Sequence, residues 1–174
     1  SLTTIPPEYT FNTQISYQIH TDVIFFLQAL MDDAKKENMN LLVISAYRSF
    51  ETQGDIKAVN KVKYGAKTAN QFSAEQGFSE HQLGTTVDFT TPSNNTNFLK
   101  FETTKEYQWL KNNAHKYGFI LSYPKGNAYY AYEPWHWRFV GVALATKLHT
   151  EGKYFYDYDP VSYTHLRAHE TEAD

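Results

Sequence analysis

Ser79-Glu80-His81-Gln82-Leu83-Gly84-Thr85-Thr86-Val87-Asp88 is the stretch around which the rest of the chain is read. His81 stands just before Gly84, whose missing Cβ permits a sharp bend. Thr85 to Thr90 beyond it has the β-branched and aromatic composition of a strand. A bend followed by a strand brings His81 and Asp88, seven positions apart, to one point. A second dense cluster lies at Glu133-Pro134-Trp135-His136-Trp137-Arg138. Two histidines and an aspartate, with a free carboxylate nearby, make a donor set of the catalytic-zinc type, since three protein ligands leave a fourth position for water. Residues three apart on a regular strand point to opposite faces. If Glu133 and His136 serve one metal, the chain must break at Pro134-Trp135.

Outward from these clusters the elements follow from periodicity. Residues 1–15 are polar, carry Pro6-Pro7 and read as an extended arm. From Thr21 the pattern is helical, with Val23, Leu27, Leu30, Met31 and Ala34 on one face, Thr21 or Asp22 as cap and Asn38 as stop. Leu41 to Ala46 is a short apolar run suited to a buried strand. Ser49 can cap a second helix running to about Lys63 and closed by Gly65. Residues 66–80 form a connection with at most one short helix, broken at Gly77. After an Asn/Thr/Pro loop, Thr103-x-x-Glu106 reads as a capping box for a helix that turns Trp109, Leu110, Ala114 and Tyr117 inward and ends at Gly118. Phe119–Leu121, Ala128–Tyr132 and Trp135–Val140 read as strands, with a turn at Pro124–Asn127, and Val142–His149 closes as a helix. The order lacks regular βαβ alternation, so the expected class is α+β, a mainly antiparallel sheet with helices packed on it, in one domain spanning 1–159.

Composition narrows the chemistry. The 174 residues are 41% hydrophobic and 20% charged, and they contain no cysteine. Disulfide frameworks, thiolate metal sites and cysteine nucleophiles are thereby excluded. Sixteen basic against 19 acidic residues, without a basic cluster, give no footprint for nucleic acid. No apolar run is long enough for a membrane span. Aromatic residues reach 17%, which favours strands and substrate-lining walls; Trp135, Trp137, Tyr129, Tyr130 and Tyr132 divide between those two roles. His20, His115 and His149 read as structural, His115 lying in the last turn of its helix, where a cation suits the dipole.

S-x-H-x-x-G-x-x-x-D followed much later by E-x-W-H resembles the zinc peptidases that include the VanY-like D-alanyl-D-alanine carboxypeptidases, whose scaffold is shared by L,D-carboxypeptidases, some phage endolysins and the hedgehog signalling domain. Ser45-Ala46-Tyr47-Arg48-Ser49-Phe50-Glu51-Thr52-Gln53 matches the family's upstream Y-R-S segment, so the motifs bracket about Leu41 to Gly141. The resemblance implies that His81, Asp88 and His136 hold one zinc ion per chain, that Glu133 is the catalytic base, and that Arg48 binds substrate or offsets developing negative charge. Gln53 and Ser79 match polar positions lining the substrate site. Thr86 departs from the family's usual Ala, and its bulk is expected to bear on the pocket. The implied reaction is hydrolysis of the C-terminal D-Ala from peptidoglycan stem peptides. An L,D-carboxypeptidase or a cell-wall endopeptidase would use the same zinc site, and a non-catalytic zinc-containing binding module would lack turnover. A monomer is expected.

The resemblance also implies an extracytoplasmic protein, its export signal or anchor lying outside this chain, which opens at Ser1. Pro160 to Thr171 looks foreign to the domain and resembles the conceptual translation of a transposase-type sequencing adapter. His165 and His169, which mimic a metal pair at i, i+4, are therefore assigned no function. Without residues 160–174, and so without Arg167, Glu170, Glu172 and Asp174, the chain has 15 basic and 16 acidic residues.

Overall fold

Apolar spacing sets the packing face of helix α1, Ile24–Lys36, whose buried residues are Leu27, Leu30, Met31 and Ala34. Asn38 ends it in the left-handed region at φ 60, a conformation that asparagine tolerates. Neither Thr21 nor Asp22 caps this helix. The cap position falls on Val23, without a side-chain hydrogen bond, while Thr21 is bonded to Ser1 through both its backbone N–H and its hydroxyl. The computed structural model describes residues 1–64, 74–94, 97–128 and 130–157. Gly65 as a helix stop, positions 66–73 of the connection, Tyr129 and the adapter-like segment all lie outside the described residues.

The N-terminal segment is not simply an extended arm. Strand β1, Leu2–Thr4, pairs antiparallel with β2, Gln18–His20, and Pro7–Tyr9 forms a 3-10 turn. Ile5 and Ile19 anchor this small sheet in the core; full burial of each side chain contributes about 2 kcal/mol. The main sheet comprises β3 (Leu42–Ser45), β4 (Thr86–Thr90), β5 (Phe119–Leu121) and β6 (His136–Phe139) in the order β3-β4-β6-β5. Every neighbouring pair is antiparallel. Val43, Val87, Phe89, Phe119 and Trp137 meet Leu27, Leu30 and Leu110 in one core.

Helix α2, Phe50–Tyr64, starts as expected: Thr52 N–H donates to Ser49 Oγ at 3.1 Å. Helix α3, Lys105–Asn113, is capped one residue later than the capping box proposed, by Thr104, whose Oγ1 accepts from Tyr107 N–H at 3.1 Å. Glu106 is drawn away from that box, because its carboxylate accepts from Asn40 N–H across the fold. The chain tightens into a 3-10 turn at Ala114–Tyr117, and helix α4, Val142–Glu151, closes the domain. The described residues of the expected strand Ala128–Tyr132, which leave out Tyr129, form no strand. Tyr130 N–H bonds Asn127 Oδ1 and Glu133 N–H bonds Tyr123 O.

Candidate metal centre

The sheet register assembles this site. Strand β4 is buried throughout, and its alternation sends Val87 and Phe89 into the core and Thr86, Asp88 and Thr90 to the other face. Asp88 sits opposite Ser45 on β3 and opposite His136 on β6. His81 comes from outside the sheet, on the 3-10 turn Glu80–Leu83, which Gly84 ends at φ 71. Gly84 O accepts from His20 N–H at 2.7 Å, and a Cβ on Gly84 would stand 3.0 Å from Leu2 Cδ2. Arg48 N–H donates to His81 O, so the segment after β3 is latched to the same turn.

The hydrogen bonds fix which nitrogen each imidazole presents. His81 Nδ1 lies 2.7 Å from Ala46 O. A carbonyl only accepts, so Nδ1 carries the proton and the Nε2 lone pair faces inward. His136 Nε2 lies 2.9 Å from Glu80 Oε2, which by the same logic leaves its Nδ1 lone pair facing inward. Those inner atoms stand 3.3 Å and 3.2 Å from Asp88 Oδ2 and Oδ1. One donor atom each from His81, Asp88 and His136 lies within 4.8 Å of the others, all three residues being buried. His81 Nε2 and Asp88 Oδ1 have no hydrogen-bond partner among the described residues. Those two buried, unsatisfied acceptors suit a cation, and the nitrogen, nitrogen and oxygen set suits zinc.

Burial opposes charge on His136, but hydrogen bonds to Asp88 and Glu80 raise its pKa to about 10, so a cation bound here takes the place of the Nδ1 proton. Burial lowers the pKa of His81, outweighing the pull of Asp88. Burial opposes charge on Asp88 as well, but His81 and His136 hold its carboxyl well below the usual carboxylate range. Glu133 Oε2 stands 3.4 Å from His136 Nδ1, and burial pushes the Glu133 carboxyl up to about 7 against the opposing pull of His136. The expected break in the strand is present: Pro134 and Trp135 form a turn, and His136 N–H donates to Glu133 O.

Arg48 Nη2 is 3.5 Å from Asp88 Oδ2, and its Nη1 donates to Gln53 Oε1 at 3.0 Å. Gln53 also donates from Nε2 to Ala74 O, so its side chain braces Arg48 from a buried position. Arg48, Gln53, Ser79, Glu133 and the three metal-type residues all line one cavity of about 310 Å³. Thr86 does not line it. This residue is fully buried opposite Arg138, on the same face of β4 as Asp88. Phe98, Tyr123, Tyr130 and Trp135 line the cavity, and of these the sequence reading singled out only Tyr130 and Trp135. It also missed Glu80, although a histidine presenting one nitrogen inward needs an acceptor for the other, and that need was the available signal. His20, His115 and His149 lie outside the cavity, and Trp137 is core.

The family model for VanY, D-alanyl-D-alanine carboxypeptidase, matches residues 16–142. The chain belongs to the VanY family. One curated relative is YodJ of Bacillus subtilis, 37% identical over 143 residues that make up 79% of this chain and 52% of YodJ. The VanY-family chain thus spans about half the length of the curated relatives it matches. Among solved structures, the LdcB LD-carboxypeptidase is similar at TM-score 0.78 and 34% identity, covering 88% of this chain and 74% of LdcB. VanY itself is similar in two structures. VanYB in complex with D-alanine-D-alanine has TM-score 0.74 and 29% identity over 91% of this chain and 87% of that one. A D,D-pentapeptidase VanY variant from a VanB-type cassette, in complex with Zn(II), has TM-score 0.72 and 31% identity over 90% and 93%. The mixed α/β architecture with its antiparallel sheet is that of these VanY and LdcB structures.

Proposed function

We propose that this VanY-family domain is a zinc-dependent D,D-carboxypeptidase that removes the C-terminal D-Ala of peptidoglycan stem peptides. The observation that carries the reading is the convergence of one donor atom each from His81, Asp88 and His136 within 4.8 Å, with the Glu133 carboxylate 3.4 Å from His136. In this reading His81, Asp88 and His136 hold one zinc ion per chain. Bound there, zinc supplies Lewis-acid chemistry, acidifying a water toward a pKa of ~7 and polarising the scissile carbonyl. Glu133 accepts the proton of the attacking water and passes it to the departing amine. Arg48, braced by Gln53, meets either the terminal carboxylate of the substrate or the charge developing on the carbonyl oxygen. Ser79 contributes a polar group to the wall. The reading takes the protein to be a monomer. Stem peptides are met outside the cytoplasmic membrane, which fits extracytoplasmic action; among the described residues no helix is long and apolar enough to cross a membrane.

The likeness to the LdcB LD-carboxypeptidase favours a second reading, removal of D-Ala from a stem whose penultimate residue is an L-centre. Incubation with defined pentapeptide and tetrapeptide stems, followed by product mass, tests both. Loss of the terminal D-Ala from the pentapeptide supports the D,D reading, and loss from the tetrapeptide alone supports the L,D reading. Internal cleavage would make the protein an endopeptidase. Bound zinc with no cleavage of either stem would make it a binding module.

A further inference from the structure

We propose that Glu80 is the positioning residue for His136, and that the C-terminal 3-10 turn carrying Tyr156 belongs to the support of the metal site. The proposal rests on the zinc reading above and concerns what keeps one ligand in register. Glu80 is 5% exposed, and its two oxygens have divided tasks. Oε2 accepts the Nε2–H of His136 at 2.9 Å. Oε1 accepts from Arg138 Nη1 and from Tyr156 Oη–H, each at 2.8 Å. A carboxylate held by three donors has no proton to give. The proton on Nε2 of His136 is thereby held in place, and Nδ1, 3.2 Å from Asp88, is the nitrogen left to the metal.

The acceptors on the other side of the ring, Asp88 Oδ1 and Glu133 Oε2, stand 3.2 Å and 3.4 Å from Nδ1, so Glu80 is what holds the proton on Nε2. Tyr123 stacks on the His136 ring at 4.6 Å and 29°, which limits tilt but treats both nitrogens alike. Glu80 in turn needs its own partners, because a buried carboxylate is costly unless paired and hydrogen-bonded. Arg138 stands two residues beyond His136 on β6, and its guanidinium lies over the Phe155 ring at 4.7 Å. Phe155 and Tyr156 belong to the 3-10 turn Phe155–Asp157, beyond residue 142, where the family match ends. The ligand on β6 is thus oriented by a chain of contacts running His136, Glu80, Tyr156, whose last member lies beyond the residues the family model matches.

Zinc affinity, measured by chelator competition on the whole chain, and the ring N–H resonances of the zinc-loaded protein labelled with ¹⁵N-histidine together test this. Glu80→Ala is expected to weaken zinc binding by about 10–100-fold and to lose the solvent-protected Nε2–H resonance of His136. In Glu80→Gln the amide oxygen still accepts that proton, so the resonance stays and most of the affinity returns. Tyr156→Phe is expected to give a smaller loss in the same direction. Folded Glu80→Ala with wild-type affinity, while His136→Ala loses zinc, overturns the positioning role alone. If Glu80→Ala does not fold, Glu80→Gln with an Nδ1–H tautomer at wild-type affinity has the same meaning. Wild-type zinc affinity in His136→Ala overturns the ligand reading beneath it.

Discussion

Glu133 and His136 face one point because the chain turns at Pro134 and Trp135, with His136 N–H bonded to Glu133 O. A carboxyl pushed up to about 7 by burial is suited to take and return a proton near neutrality. Glu133→Gln keeps the shape and removes the basicity, so kcat on the stem peptide should fall by about 10²–10⁴-fold while bound zinc is retained. Comparable kcat in the variant would assign the base elsewhere. His81, Asp88, Glu133 and His136 were legible because donor types cluster there at spacings a bend and a turn can close. Glu80 was not. Its role depends on Arg138 and Tyr156, 58 and 76 positions away, and no local pattern announces a partner at that separation.

At the scale of the element, the 3-10 turn bearing His81 is pinned by Gly84 at φ 71, against Leu2 and the backbone of His20. Gly84→Ala places a side chain in the left-handed region and against Leu2 Cδ2. It should destabilise the fold by about 1–3 kcal/mol, read from urea unfolding of the metal-free protein. Wild-type stability in that variant would mean that the turn relaxes freely. Helix α1 and strand β4 could be read ahead of the structure because their periodicities are long or their β-branched content dense. Strands β1 and β2 could not: each has three residues, and their pairing is set by tertiary contacts of Ile5 and Ile19. Ala128–Tyr132 has strand-like residues but no place in the sheet next to β6, which β4 and β5 already flank. Its described residues lie outside any strand, and Tyr130 lines the cavity.

For the whole molecule, a metal bound only by the native state adds stability by mass action, about 2.7 kcal/mol at a free concentration 100 times Kd. For a domain of this length, that corresponds to a rise in Tm on the order of 5–10 °C. Thermal unfolding with zinc and with excess chelator should show this difference, and His136→Ala should abolish it. Equal Tm values for the wild type under both conditions would argue against a native-state metal. The sheet order β3-β4-β6-β5 bears on the same site in another way. Asp88 and His136 occupy the two interior strands, whose amides stay bonded when an edge strand frays. In deuterated water, exchange by local opening should reach β3 and β5 first, leaving the strands that carry these two residues protonated longest.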